Sequence, residues 1–77
     1  MSMRRVGHVT RTAQGLAILR APDDDVVDIG TMVLNDSLET VGRVVDVFGP
    51  VERPYLAVTP EDSVHTPALV GSTLYAR

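Results

Sequence analysis

Apolar residues in this chain fall in short runs separated by glycine, proline or polar clusters, and no segment sustains the 3.6-residue apolar period of a helix. The runs instead read as strands. Arg4 to Thr10 is the first, with Gly7 as a bend or point of close approach. Thr12-Ala13-Gln14-Gly15 then supplies a turn into Leu16 to Arg20, which predicts a hairpin. Ala21-Pro22-Asp23-Asp24-Asp25 follows, and three adjacent carboxylates favour a solvated loop over a ladder. Thr31 to Leu34 is a third strand, stopped at Asn35-Asp36-Ser37, and Thr40 to Phe48 is the longest β-type run. After the corner Gly49-Pro50-Val51-Glu52-Arg53-Pro54, a fifth strand runs from Tyr55 to Thr59 and a sixth from Gly71 to Arg77. A short helix is conceivable at 61 to 66 or from Asp36 to Glu39.

Six short strands with glycine bends predict an all-β fold, a small closed barrel, because closure removes unpaired sheet edges. The fourth strand sharpens this. Strict alternation places Val41, Arg43, Val45 and Val47 on one face and Gly42, Val44, Asp46 and Phe48 on the other, and neither set is cleanly apolar. A bulge near Val44-Val45 resolves the conflict. Residues 1–77 read as one domain, near the lower size at which a single core suffices.

Composition narrows the function. There is no cysteine, hence no disulfide framework and no thiolate metal site. Seven arginines, no lysine and ten acidic residues give a net charge of -3. An acid excess without lysine fits a protein of a high-salt cytoplasm, where acidic surfaces stay soluble; a GC-rich genome preferring arginine codons gives the same pattern. Net acidity repels phosphate, so a strong free-standing nucleic-acid binder is not expected. Met1-Ser2-Met3-Arg4-Arg5 has no apolar segment after its arginines, and no run approaches the ~20 apolar residues of a membrane helix. A soluble cytoplasmic protein without membrane contact is expected.

Candidate chemistry is sparse. His8 and His65 are the only histidines and lie far apart, without a third ligand at metal-site spacing. Asp23, Asp24 and Asp25 lack the loop spacing that converges carboxylates on one cation. Asp62-Ser63-Val64-His65 places Ser, His and Asp side by side, but adjacency does not supply triad geometry. No catalytic residue, cofactor or metal is expected. Arg4, Arg5, Arg11 and Arg20 gather on the first hairpin, yet no aromatic lies among them in sequence to stack on bases. The isolated chain is therefore expected to bind RNA only non-specifically, at roughly 10⁻⁴ M or weaker.

One segment is richer. Phe48 and Val51 flank Gly49-Pro50, and Pro54-Tyr55 follows at once, so prolines and aromatics concentrate at a single corner. Two prolines reduce the freedom a loop must lose on binding, which suits a rigid docking surface. A corner whose aromatics merely cap the barrel is the plainer reading.

The run Val41-Gly42-Arg43-Val44-Val45-Asp46-Val47-Phe48-Gly49-Pro50-Val51, followed by Pro54-Tyr55, resembles the archaeal Gar (glycine-arginine-rich) subunit of H/ACA ribonucleoproteins. The resemblance extends from Arg5-Val6-Gly7 through Ile29-Gly30 and Val33 to Gly71-Ser72-Thr73-Leu74-Tyr75. Phe48-Gly49-Pro50-Val51 with Pro54-Tyr55 is its specific part. It implies a six-stranded barrel of the type found as the second domain of translation GTPases. It also implies a non-catalytic subunit that binds the catalytic domain of a dyskerin-type, guide-RNA-directed pseudouridine synthase, aiding substrate RNA loading and product release in rRNA modification. Guide and substrate RNA would be met only through the complex. Eukaryotic members carry Gly-Arg-rich tails, whereas these residues close on the sixth strand, so no tail-borne RNA binding is expected.

Phe48, Gly49, Pro50, Val51, Pro54 and Tyr55 are accordingly the expected partner-binding residues, with Phe48 packed inside to anchor the corner from below. The same patch leaves weak self-association of the free protein open. A competing reading is another barrel of this general type, acting in ribosome maturation by binding a ribosomal protein or RNA.

Overall fold

Gln14 and Gly15 both adopt positive φ, 53° and 80°, the conformation of a tight two-residue turn whose twist matches its flanking strands. That turn lets Thr12 and Ala13 stay in the ladder, so the first strand is longer than the sequence pattern suggested. In the computed structural model, which describes residues 3–77, β1 spans Arg4–Ala13, β2 Leu16–Arg20, β3 Met32–Leu34, β4 Thr40–Phe48, β5 Tyr55–Pro60 and β6 Thr73–Ala76. Met1 and Ser2, part of the amino-terminal segment considered for targeting, lie outside the described residues. The only helical turn among the described residues is a 3-10 turn at Thr66–Leu69. It sits later than either position expected from sequence. Residues 36 to 39 form a turn instead, because the Asn35 side-chain oxygen accepts from the Ser37 and Glu39 amides and holds Leu38 at φ 67°. No helix of the described residues is long and apolar enough to cross a membrane.

The strands close in the order β1-β2-β5-β4-β3-β6, all neighbours antiparallel, with β6 returning to β1. Two glycines make the close approaches. A Cβ on Gly7 would sit 2.7 Å from the Arg20 carbonyl oxygen, and one on Gly42 would lie 2.9 Å from the Pro60 Cα and also run into the Thr59 carbonyl. Both positions therefore admit no side chain without backbone movement.

The interior is filled by valine and leucine. Val9, Leu19, Val33, Val44, Leu56, Val58 and Leu74 are fully buried, and none of the three aromatics joins this cluster. A six-stranded barrel is narrower than the eight-stranded one whose interior side chains just fill, so it has little room for rings.

The register of β4 against β5 shifts between Val44 and Asp46, which places a bulge at Val45 as the apolar pattern required. Gly42 and Val44 face inward before it; after it Val47 packs on the core. The same shift turns Phe48 outward, where it is 39% exposed. This corrects the expectation that Phe48 packs inside: past the bulge the inward parity passes to Val47, which leaves Phe48 on the outer wall.

Candidate functional site

The corner between β4 and β5 is braced at both ends. Gly49 has φ 91°, and a Cβ there would lie 2.9 Å from Cδ2 of Tyr55. Glycine at this position thus serves the turn and makes room for the tyrosine ring. The Arg53 amide donates to the Pro50 carbonyl at 3.3 Å, closing a tight turn over Pro50-Val51-Glu52-Arg53. The Ala21 amide donates to the Pro54 carbonyl at 2.9 Å, and Arg53 Nε donates to the Ala21 carbonyl at 3.0 Å. Those two bonds tie the corner to the end of β2.

Within this frame the six expected residues separate. Val51 projects at the tip and is 83% exposed; Gly49 and Pro50 are exposed beside it. Pro54 is buried. Its side chain does not face outward as expected, because the backbone bond to Ala21 seats it against the barrel. Tyr55 is half-buried between neighbours: strand order puts Arg20 of β2 on one side of it and Phe48 of β4 on the other. The Phe48 and Tyr55 rings stack with centroids 5.7 Å apart and 20° between planes. The Arg20 guanidinium carbon lies 4.7 Å from the Tyr55 ring centroid, and its NH1 group donates to the Tyr55 hydroxyl at 2.8 Å. Arginine, tyrosine and phenylalanine form one rigid row across three strands.

His8 of β1 pairs with Arg20 and extends that row to a fourth strand. Thr10, Arg11 and Arg53 complete the rim of an open depression of about 660 Å³ over it. No carboxylate lines this depression. Along the sequence the hairpin arginines have no aromatic company; the fold supplies it, since β5 and β4 bring Tyr55 and Phe48 to Arg20 from 35 and 28 positions away. Alternation alone holds no signal of this. The order of the strands decides it.

The other singled-out groups stay apart. His65 is exposed just before the 3-10 turn, remote in sequence from His8 and on a different element. Asp23, Asp24 and Asp25 lie on an exposed loop, where Asp25 pairs with Arg4 at 2.8 Å and its amide is held by Asp23 Oδ1 at 2.9 Å. Among the described residues, no group of three His, Asp or Glu side chains converges as metal ligands would.

The family model described as the Gar1/Naf1 RNA binding region matches residues 3–77. An uncharacterised protein of Methanothermobacter thermautotrophicus is 28% identical over 76 residues, spanning 95% of this chain and 82% of its own length. An uncharacterised protein of Methanocaldococcus jannaschii is 36% identical over 50 residues, 65% of this chain and 58% of its own. The solved Gar1 domain of Naf1 superposes with a TM-score of 0.74 at 17% identity, covering 99% of this chain and 87% of that one, a likeness of fold. The sequence motif, the closed six-stranded barrel and the full-length family match agree: the chain belongs to the Gar1/Naf1 family, the non-catalytic accessory proteins of H/ACA ribonucleoproteins.

Proposed function

We propose that this barrel is the subunit of the H/ACA guide-RNA pseudouridylation particle that docks on the catalytic domain of the dyskerin-type synthase, aiding substrate RNA loading and product release. The observation that carries the reading is Val51, an apolar side chain 83% exposed at the tip of a corner held by backbone bonds on both sides. A valine left in water on a rigid support gains about 1.5–3 kcal/mol when a partner covers it. Phe48 and Pro50, on the same corner, are exposed as well and add to its apolar surface. Tyr55 and Pro54 act from behind, the first by fixing the Phe48 ring and the second by seating the loop.

The test is a binding isotherm against the synthase of the same source for the parent chain and for Val51→Asp. A carboxylate at the centre of an apolar contact loses the burial gain and adds a desolvation cost, so affinity should fall at least ~30-fold, about 2 kcal/mol. The thermal melt should not move, because Val51 touches little of its own barrel. Undiminished affinity in a folded Val51→Asp chain would place the docking surface elsewhere.

A further inference from the structure

The depression on the outer wall is not needed for apolar docking, and its chemistry is different. Three of the seven arginines, Arg11, Arg20 and Arg53, line it with His8, and no carboxylate does. The chain has ten acidic residues to supply one. The acidic loop Asp23-Asp24-Asp25 even begins three positions after Arg20, yet two of its carboxylates are engaged elsewhere. Asp25 pairs with Arg4 at 2.8 Å, and Asp23 Oδ1 accepts from the Asp25 amide at 2.9 Å. The one ion pair among the described residues thus involves none of the arginines of the wall. Cations gathered in a concave surface without a counter-charge of their own raise the local potential for an anion.

Two of these guanidiniums are already positioned. Arg20 lies over the Tyr55 ring and donates from Nη1 to its hydroxyl at 2.8 Å, and its buried Nε–H has no acceptor. Arg53 is held through Nε by the Ala21 carbonyl at 3.0 Å, which leaves its two terminal nitrogens for an acceptor outside the chain. A buried donor without a partner is unfavourable until an acceptor covers it. A guanidinium fixed by one edge also loses little freedom when another edge meets an anion, and its planar fork matches a carboxylate with two parallel bonds. Aromatic faces are not on offer here. Tyr55 already has Phe48 stacked against it and Arg20 over it, and Phe48 belongs to the apolar corner. Forks without an open ring suit acidic side chains, whereas a base needs a free face to stack on.

We propose that this wall docks an acidic segment of a partner protein, with its carboxylates on Arg11, Arg20 and Arg53. The contact is electrostatic where the Val51 corner is apolar, and it does not depend on the docking reading.

The experiment is an amide-resolved NMR titration of the isotopically labelled chain with a capped hexaglutamate peptide at low salt, without synthase. Amide shifts should gather at Arg11, Arg20 and Arg53, and a capped hexaglutamine should produce none. Arg11→Gln with Arg53→Gln, checked as folded by its own amide spectrum, should weaken binding at least about fivefold, the low end for two exposed charge pairs. Arg43→Gln, on an exposed arginine outside the depression, should leave the isotherm unchanged. Raising the ionic strength from 0.01 M to 0.15 M should weaken binding as well, because the Debye length contracts from about 30 Å to about 8 Å. Absence of shifts, or shifts centred on Arg5 and Arg43, would overturn the proposal. A hexauridylate that shifts the same amides with equal or higher affinity would overturn it in favour of a phosphate ligand. Shifts at the same residues on raising the protein concentration alone would overturn it in favour of a second copy of this chain. Because no synthase is present, a negative titration says nothing against docking through Val51.

Discussion

Replacing Gly49 by alanine tests the construction of the corner more sharply than any truncation. Its φ of 91° lies where a Cβ is disfavoured, and the new methyl carbon would stand 2.9 Å from Cδ2 of Tyr55. The backbone contribution is roughly 1–2 kcal/mol. Carbon atoms prefer to be about 3.5–4.0 Å apart, so the ring has to move by a large fraction of an ångström. It is not free to do so, since Phe48 stacks on it and Arg20 lies over it with a hydrogen bond to its hydroxyl. Disturbing an aromatic pair and a cation–π contact costs at least about 1–2.5 kcal/mol together. Gly71 is the control: its φ is 93°, and a Cβ there meets nothing within 4 Å. Gly71→Ala should therefore carry only the backbone cost, and Gly49→Ala roughly 2–4 kcal/mol in total. At about 4–8 °C per kcal/mol for a domain of this size, Gly49→Ala should melt some 5–20 °C below Gly71→Ala. In a Tyr55→Ala background the two penalties should converge. Equal melting points for the two alanine variants in the parent chain would refute the account of Gly49 as the residue that admits the tyrosine ring.

The remaining expectations concern the barrel. Leu56→Ala should cost about 2.7–5 kcal/mol because Leu56 is fully buried, whereas Phe48→Ala, on a ring 39% exposed, should cost about 1–2.5 kcal/mol; paired denaturant titrations giving the opposite order would put Phe48 back in the core. Gly42→Ala should destabilise more than any exposed substitution, since the obstruction is the backbone of Thr59 and Pro60; a melt within a few degrees of the parent would contradict that contact. Asp25→Asn removes an ion pair whose side chains are both exposed and should change stability by no more than about 1 kcal/mol, less at high salt. Far-UV circular dichroism should show a β-type spectrum, as six strands and a single 3-10 turn demand.

Much of the barrel was legible from local pattern. The six strands and the bulge at Val45 follow from interactions within a few residues or from a failed alternation that only an extra residue repairs, whereas of the two close approaches only that of Gly7 was expected, and both are made to neighbouring strands. The motif Phe48-Gly49-Pro50-Val51 with Pro54-Tyr55 marked the corner and the family for the same reason: a tight turn states its demands on glycine and proline locally. Which of those corner residues face water was not legible. That depends on parity carried past the bulge and on backbone bonds from Ala21, 33 positions before Pro54, so Phe48 emerged on the surface and Pro54 was buried. The arginine–aromatic wall depended still more on distance. Nothing near Arg20 in the chain announces Tyr55, and only the strand order β1-β2-β5-β4 places them side by side. Sequence by itself determined the strands, their turns and the family, because those rest on short-range sterics and residue type. Tertiary structure alone decided which side chains share a wall, because closure of the barrel joins segments that local chemistry cannot relate.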